Sequence, residues 1–320
     1  MNRRIVFRSL AVSTAVFAIT AGFTSLGGAP VSAQSSASSS TPSSCHSYRN
    51  PRCFGVLFDD FNYTSLNDPA VALHGWAARS GTGGPGVSGA RWSPGDISFP
   101  NVDGQKSLQL QLTTNGTAKG TTESEFYQTG FSVREGTYLA RIKFSDTPAS
   151  GPDGDLINQT FFAISNPSVA CDPTYSETDF SEYLPNGVRP GGKPLNTETT
   201  WHAAPGCKLA SVEGLQHVSL NGWHTIMATV SGGHVRYYVD GRLVADASKP
   251  YYPIEDMRVD FNTWLMNVKG HTGSGTSVWH EDVNYVYYAQ NCVLTQKQIL
   301  QQVRFFRRHH VHFLDTVRTN

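Results

Sequence analysis

The chain has 320 residues, with 25 Lys and Arg against 25 Asp and Glu, 39% hydrophobic residues and 16% charged ones. A balanced charge argues against a polyanionic partner such as nucleic acid, which needs a basic face. The length suffices for one large domain, and Gly, aromatic and β-branched residues are plentiful while long helical patterns are few, which favours a sandwich over a helical bundle.

Residues 1–33 read as an export signal. Arg3, Arg4 and Arg8 form a basic start, Leu10 to Phe23 are apolar and small, and Val31-Ser32-Ala33 suits signal peptidase. The apolar run is too interrupted to span a membrane. Removing it leaves 25 acids against 22 bases, so a secreted, extracellular protein without membrane attachment is expected. Residues 34–44, Gln-Ser-Ser-Ala-Ser-Ser-Ser-Thr-Pro-Ser-Ser, have the composition of a flexible tether. Residues 45–293 form the expected folded β domain, and residues 294–320 an amphipathic helix with a tail.

Period-two alternation marks the strands. Leu108, Leu110 and Leu112 alternate with Gln109 and Gln111. Tyr138, Ala140, Ile142 and Phe144 alternate with Leu139, Arg141 and Lys143. Val235, Tyr237 and Val239 lead into Asp240-Gly241, a hairpin signal. Val259, Phe261, Thr263 and Leu265 define one face of a strand, with Arg258, Asp260, Asn262 and Trp264 on the other. Val283 to Ala289 is a late strand. Gly- and Pro-rich loops separate these runs, and the pattern is that of a two-sheet antiparallel sandwich. Thr295, with Gln298 three residues on, opens the helix as a capping box. Ile299, Val303, Phe306 and His310 follow helical spacing.

Five cysteines occur, at 45, 53, 171, 207 and 292. An exported chain favours disulfides. Cys171 and Cys207 bracket an acidic strand and are expected to pair. Cys45–Cys53 and Cys53–Cys292 both remain open.

The bracketed run, Glu177-Thr178-Asp179-Phe180-Ser181-Glu182, sets three carboxylates within six residues. In a regular strand Glu177 and Asp179 share a face and Glu182 opposes them. A β-bulge near Phe180-Ser181 would turn all three to one side. Carboxylates gathered on a concave sheet face suit acid-catalysed cleavage of a glycosidic bond. The competing reading is a calcium site, to which Asp172 and Glu198 would add oxygens. Sugar rings stack on aromatic faces, which makes Trp264, Trp201 and Tyr175 candidate substrate contacts. Asn262, on the same face as Trp264, and His202 are candidate partners for sugar hydroxyls. Trp201 and His202 are placed in the loop before Cys207. His224 is expected to be a satisfied structural histidine.

Glu-x-Asp-x-x-Glu resembles the bulged active-site strand of glycoside hydrolase family 16, the family of laminarinases, lichenases, agarases and carrageenases. Further landmarks follow in the family's order. Phe58-Asp59-Asp60-Phe61-Asn62 resembles the opening strand, and Gly136-Thr137-Tyr138-Leu139-Ala140-Arg141-Ile142-Lys143 an early inner strand. Trp223-His224-Thr225 with Val235 to Gly241 resembles a hairpin, Asp256-Met257-Arg258 through Trp264 the strand ending in "N-x-W", and Val283 to Tyr288 the closing strand. The resemblance spans residues 55–290. It implies a β-jelly roll with a concave substrate cleft and double displacement with retention. By position it makes Glu177 the nucleophile and Glu182 the general acid/base, with Asp179 tuning Glu177.

Two departures matter. The strand that in the family reads "W-P-A-F-W-L" is here Ile157-Asn158-Gln159-Thr160-Phe161-Phe162-Ala163-Ile164, which removes the tryptophan platforms and unsettles the usual β-1,3-glucan specificity. Asn284 replaces an Asp that often helps bind a structural calcium ion; no cofactor is required, and calcium is left open. The expectation is a secreted, monomeric endo-acting hydrolase of a β-linked polysaccharide, β-glucan first. The alternatives are a non-catalytic glycan-binding jelly roll and a cell-wall glucan transglycosylase.

Overall fold

The structure, a computed structural model, describes residues 55–318. The export signal, the tether, Cys45 and Cys53 lie outside the described residues. The strands run, in chain order, β1 (Gly55–Asp59), β2 (Trp76–Ala78), β3 (Arg91–Trp92), β4 (Ile97–Ser98), β5 (Asn101–Val102), β6 (Gln105–Lys106), β7 (Leu108–Thr114), β8 (Thr121–Gln128), β9 (Gly136–Phe144), β10 (Leu156–Ile164), β11 (Ser176–Leu184), β12 (Leu195–Ala204), β13 (Lys208–Gln216), β14 (Gly222–Ser231), β15 (His234–Val239), β16 (Arg242–Ser248), β17 (Arg258–Asn267), β18 (Ser277–Gln290) and β19 (Phe313–Asp315). Two helices interrupt them, α1 (Pro69–Leu73) and α2 (Gln296–Arg308).

Most of the strands form two sheets, with β5 and β6 a separate two-stranded pair. In one the order is β2-β8-β17-β10-β11-β12-β13, antiparallel throughout. In the other it is β16-β15-β14-β9-β18-β1-β19. Strand β7 pairs with the first half of β18 and, at its end, with the start of β8, joining the two layers. The architecture is a β-jelly roll.

The predicted alternations become the core. Leu108, Leu110, Tyr138, Ala140, Ile142, Phe161, Ala163, Val259 and Phe261 all lie between the sheets, fully buried. Each large side chain removed from water there stabilises the fold by roughly 1.5–3 kcal/mol. Asp240 and Gly241 both take positive φ, 50° and 78°, which is the two-residue turn that matches the twist of a hairpin.

Leu139 points away from this core yet is also buried, because α2 covers the outer face of the second sheet. Ile299 and Val303 pack there with Phe58, Leu139, Tyr285 and Tyr287. The Thr295 capping box forms as expected: its hydroxyl accepts from Gln298 N, and Gln298 Oε1 accepts from Thr295 N at 2.8 Å. The helix ends sooner than the spacing implied. His309 is its C-cap and His310 has φ 54°, so His310 lies beyond the last turn and exposed. The chain beyond is more than a tail, since β19 adds an edge strand to β1.

Cys171 and Cys207 are bonded, with Cα atoms 4.8 Å apart. Cys292 is disulfide-bonded as well. Among the described residues no helix is long and apolar enough to cross a membrane.

Candidate active site

The three acids sit in β11, near the middle of the first sheet. Against β12, Asp179 pairs with Thr199 and Glu182 with Thr197. Two residues, Phe180 and Ser181, therefore oppose one, Glu198. Against β10 the register shifts at the same place, with Ser181 opposite Phe161 and Asp179 opposite Phe162. This is the β-bulge that the spacing required. Phe180 drops into the core, and Glu182 is carried round to the face of Glu177 and Asp179.

The neighbours on β12 confirm the shared face, because Thr197, Thr199 and Trp201 alternate along one side of that strand. Thr197 Oγ1 and Thr199 Oγ1 donate to Glu182 Oε2 at 3.1 and 3.2 Å. Trp201 Nε1 donates to Asp179 Oδ2 at 3.0 Å. On the other flank Asn158 Nδ2 donates to Glu182 Oε1 at 2.9 Å. The Tyr175 hydroxyl, one step before β11, donates to Glu177 Oε2.

Charge and burial act on the trio together. Burial is the largest influence on Glu177 and raises its pKa; Glu182 adds to the rise and the Tyr175 hydrogen bond opposes it. Burial also lifts Asp179 well above the carboxylate range, reinforced by Glu177 and Glu182. Glu182 rises through burial against its bonds from Asn158, Thr197 and Thr199. Close like charges in a poorly hydrated groove cannot all ionise, so the trio holds protons at a pH where free carboxyls have lost them.

The two hydrogen-bond patterns differ in kind. Glu177 is tethered through Oε2 alone, by the Tyr175 hydroxyl. In Glu182, Oε1 is tethered by an amide that can only donate, while Oε2 meets two hydroxyls that can donate or accept. The second arrangement tolerates either protonation state at Oε2.

The groove floor extends on both sides of the acids. Towards β17, Asn158 pairs with Trp264 and Thr160 with Asn262, so Trp264 and Asn262 share the face of Glu182 as the alternation predicted. Asn158 Oδ1, Thr160 Oγ1 and Asn262 Oδ1 are buried and carry no partner. Towards β13, Trp201 pairs with Glu177 and stands on the groove face. Trp201 and His202 lie in β12 rather than in a loop. The strand alternation turns His202 the other way, where its ring lies 5.0 Å from that of Tyr251; it is not brought to the acids. Tyr175 reaches the site as a donor to Glu177. His224 is paired with Asp240 at 2.7 Å, away from the groove.

Residues that sequence reasoning did not assign to the site are Thr197, Thr199 and Asn158. The first two had a legible signal, a run of hydroxyls at period two ending in Trp201. Further along the face, Arg79 bonds Glu125 at 2.8 Å and Arg258 bonds Asp260 at 2.9 Å. Arg258 also lies 4.0 Å from the Tyr127 ring centre. The calcium reading of the acids loses a ligand, since Glu198 sits on the opposite face of β12.

Asn284, where the resemblance left a structural calcium open, has both ends of its amide engaged. Asn284 Nδ2 donates to the carbonyl of Lys106 at 3.0 Å, and Asn284 Oδ1 accepts from Arg307 Nη2 at 3.0 Å. Arg307 also lies 3.8 Å from Asp60, which His312 approaches at 3.2 Å. A calcium ion needs oxygens free to face it; here an amide N–H and a guanidinium occupy them.

No protein-family model matches the chain, and no curated protein sequence matches it. Solved structures do. The β-glucanase of Bacillus licheniformis aligns over 74% of this chain and 98% of its own, at 17% identity and a TM-score of 0.54. The catalytic domain of an endo-1,3-β-glucanase (laminarinase) from Thermotoga petrophila aligns over 73% and 96%, at 17% identity and 0.56. A glycoside hydrolase family 16 endo-glucanase from Bacteroides ovatus, in complex with G4G3G-2F-DNP, aligns over 72% and 98%, at 13% identity and 0.55. The chain shares the fold of these enzymes.

Proposed function

We propose that this protein is an endo-acting glycoside hydrolase that cleaves an uncharged β-linked polysaccharide, β-glucan first, with retention at the anomeric carbon, after export from the cell. The observation that carries the reading is the bulge at Phe180-Ser181, which gathers Glu177, Asp179 and Glu182 on one groove face.

In the first step a Glu177 oxygen attacks the anomeric carbon, and Glu182 protonates the departing glycosidic oxygen. In the second, Glu182 takes a proton from water, which displaces Glu177 from the glycosyl-enzyme ester. Tyr175 fixes Glu177 by one oxygen and leaves the other to react. Asn158 fixes Glu182 by Oε1, so Oε2 is the oxygen that exchanges the proton. Asp179, held by Trp201, stays protonated and relieves repulsion between the two glutamates. Trp201 and Trp264 flank the cleavage point on either side and offer faces to sugar rings.

The substrate class follows from charge. Ionised Glu177, with Glu213 on β13, gives the groove negative charge, and Arg79 and Arg258 are both already paired with carboxylates. A sulfated or uronic polymer would meet repulsion without compensation, whereas an uncharged glycan would not. The fold also needs no divalent cation at Asn284, because Arg307 supplies positive charge there.

The test is incubation of the protein with laminarin, lichenan, xyloglucan, agarose and carrageenan, with products read by mass and the first-formed anomer by NMR. Cleavage of neutral glucans with retention is expected, and Glu177→Gln should abolish it while leaving folding intact. Full activity in that variant, or inversion, sinks the assignment. Products carrying joined acceptors would instead mark a transglycosylase.

A further inference from the structure

Behind the bulge, on the side of β12 that faces away from the groove, lies a carboxyl group that the reaction does not use. Glu198 is the single residue opposite Phe180 and Ser181, and only 1% of it is exposed. Its Oε1 accepts from Asn196 Nδ2 at 2.6 Å. Asn196 Oδ1 in turn accepts from the hydroxyl of Ser181, the bulged residue, at 2.5 Å. All three side chains are buried. A continuous hydrogen-bonded link therefore runs from the irregular turn of β11 to the carboxyl across from it.

The surroundings have been left open for this side chain. Its register partner on β13 is Gly214. A Cβ there would stand 2.8 Å from Glu198 Oε2 and 2.6 Å from the Ala245 Cβ of β16, closer than packed atoms allow. Any larger residue at 214 would expel the carboxyl. A bulge costs ladder hydrogen bonds and bends the strand, so it needs contacts that hold the extra residue in place. Phe180 is held by the core rings of Tyr138 and Phe161, while Ser181 is held by the polar link from β12.

We propose that Glu198 clamps the bulge through Asn196 and Ser181 and so sets the position of Glu182 relative to Glu177, making it a positioning residue for the reaction proposed above, on which this role rests. Among the described residues no cation lies in its hydrogen-bonding reach. The ionisable groups acting on it are Glu182, through the sheet, and Tyr237 of β15, whose hydroxyl is bonded to Thr200. β13 and β16 contribute Gly214, Gln216 and Ala245, and β11 contributes Ser181. Burial raises the carboxyl to a pKa of about 8, with Glu182 adding to the rise and the side chains of Gln216 and Asn196 opposing it. Below that pH the clamp is a neutral acid. Above it, a charge appears in a buried site with one oxygen unpartnered, which opposes the clamped geometry.

The full-length protein is compared with Glu198→Gln, Glu198→Ala and Ser181→Ala, using kcat and KM on neutral β-glucan from pH 5 to 9. Glu198→Ala is expected to lose roughly ten- to a hundredfold in kcat, the scale of an ångström-sized misplacement, with KM within about twofold. Glu198→Gln keeps the shape and the acceptor, so kcat recovers at pH 7 and the loss of rate above about pH 8 moves to higher pH. Wild-type kcat and pH profile in Glu198→Ala, or equal damage in the Gln and Ala variants, overturns the proposal. If Glu198→Ala does not fold, Ser181→Ala removes only the hydroxyl of the link, and an unchanged kcat there overturns it equally.

Hydrogen exchange at the amides of residues 179–182 supplies a readout independent of activity. Faster exchange in Glu198→Ala and Ser181→Ala, and wild-type exchange in Glu198→Gln, are expected. Unchanged exchange in both of the first two rejects the clamp. A protein that cleaves no glycan but shows the expected exchange pattern rejects the hydrolase reading instead.

Discussion

The indole Nε1 of Trp201 donates to Asp179 Oδ2 at 3.0 Å, from the strand position that pairs with Glu177. One side chain thus serves the central acid by its edge while its face borders the groove. Trp201→Phe keeps an aromatic face and deletes the donor. A hydrogen bond of this kind contributes about 0.5–1.5 kcal/mol, so kcat is expected to fall by roughly two- to tenfold with little change in KM. Trp201→Ala should add a rise in KM. Steady-state kinetics on lichenan checks both.

Tyr175 sets the acidic side of the pH profile. Glu177 must be ionised to attack, so activity is lost as pH falls through its pKa. Burial raises that pKa and the Tyr175 hydroxyl lowers it. Tyr175→Phe removes the lowering influence, and the acid limb of kcat/KM moves to higher pH. A bond worth about 1 kcal/mol corresponds to roughly a fivefold loss of rate on that limb, with the plateau rate less affected. A limb that stays in place, or moves down, contradicts the role given to Tyr175.

The Cys171–Cys207 bond closes a sequence separation of 36 residues around β11 and β12. Constraining a loop of that length stabilises by roughly 2–4 kcal/mol. The double Ser variant is expected to unfold at a lower temperature and to lose activity, because Tyr175 and Trp201 lie within the loop that the bond closes. Thermal unfolding of the variant against the unaltered protein, both without reductant, gives the measurement, and equal unfolding temperatures would refute the structural claim.

Arg307 bonds Asn284 by Nη2 at 3.0 Å and lies over the ring of Tyr285 at 4.9 Å. Chelator treatment should leave the unfolding temperature unchanged, as should added calcium. Arg307→Ala, by contrast, strands the Asn284 oxygen beneath α2 and should cost about 1–3 kcal/mol. Calcium-dependent unfolding of the unaltered protein would overturn this.

Much of this arrangement was legible in the chain because it follows from local periodicity. Leu108, Leu110 and Leu112 alternate, so one face of β7 had to be apolar. Asp240-Gly241 demanded positive φ. Thr295 and Gln298 named the start of α2. Even the bulge could be inferred, since a spacing of two and then three residues between acids cannot share a face in a regular strand. The signal failed where two elements must meet. Leu139 alternated as an outward residue, and only the docking of α2 buries it. His310 continued the helical spacing, but the chain leaves the helix after Arg308 to pair β19 with β1. His202 stood next to Trp201 in sequence, and strand alternation sent it to the opposite face.

The amino-acid order by itself determined the strands, the hairpin, the cap and the one place where an acid had to change sides, because each depends on residues within a few positions of one another. It could not determine which donors reach which carboxylate. Asn158, Thr197 and Thr199 lie up to 24 residues from Glu182, and Arg307 lies 23 residues from Asn284. Those meetings depend on sheet register and on the packing of α2, which are set by the burial of the whole core. Only the tertiary structure, therefore, decided how each acid is held and what stands behind it.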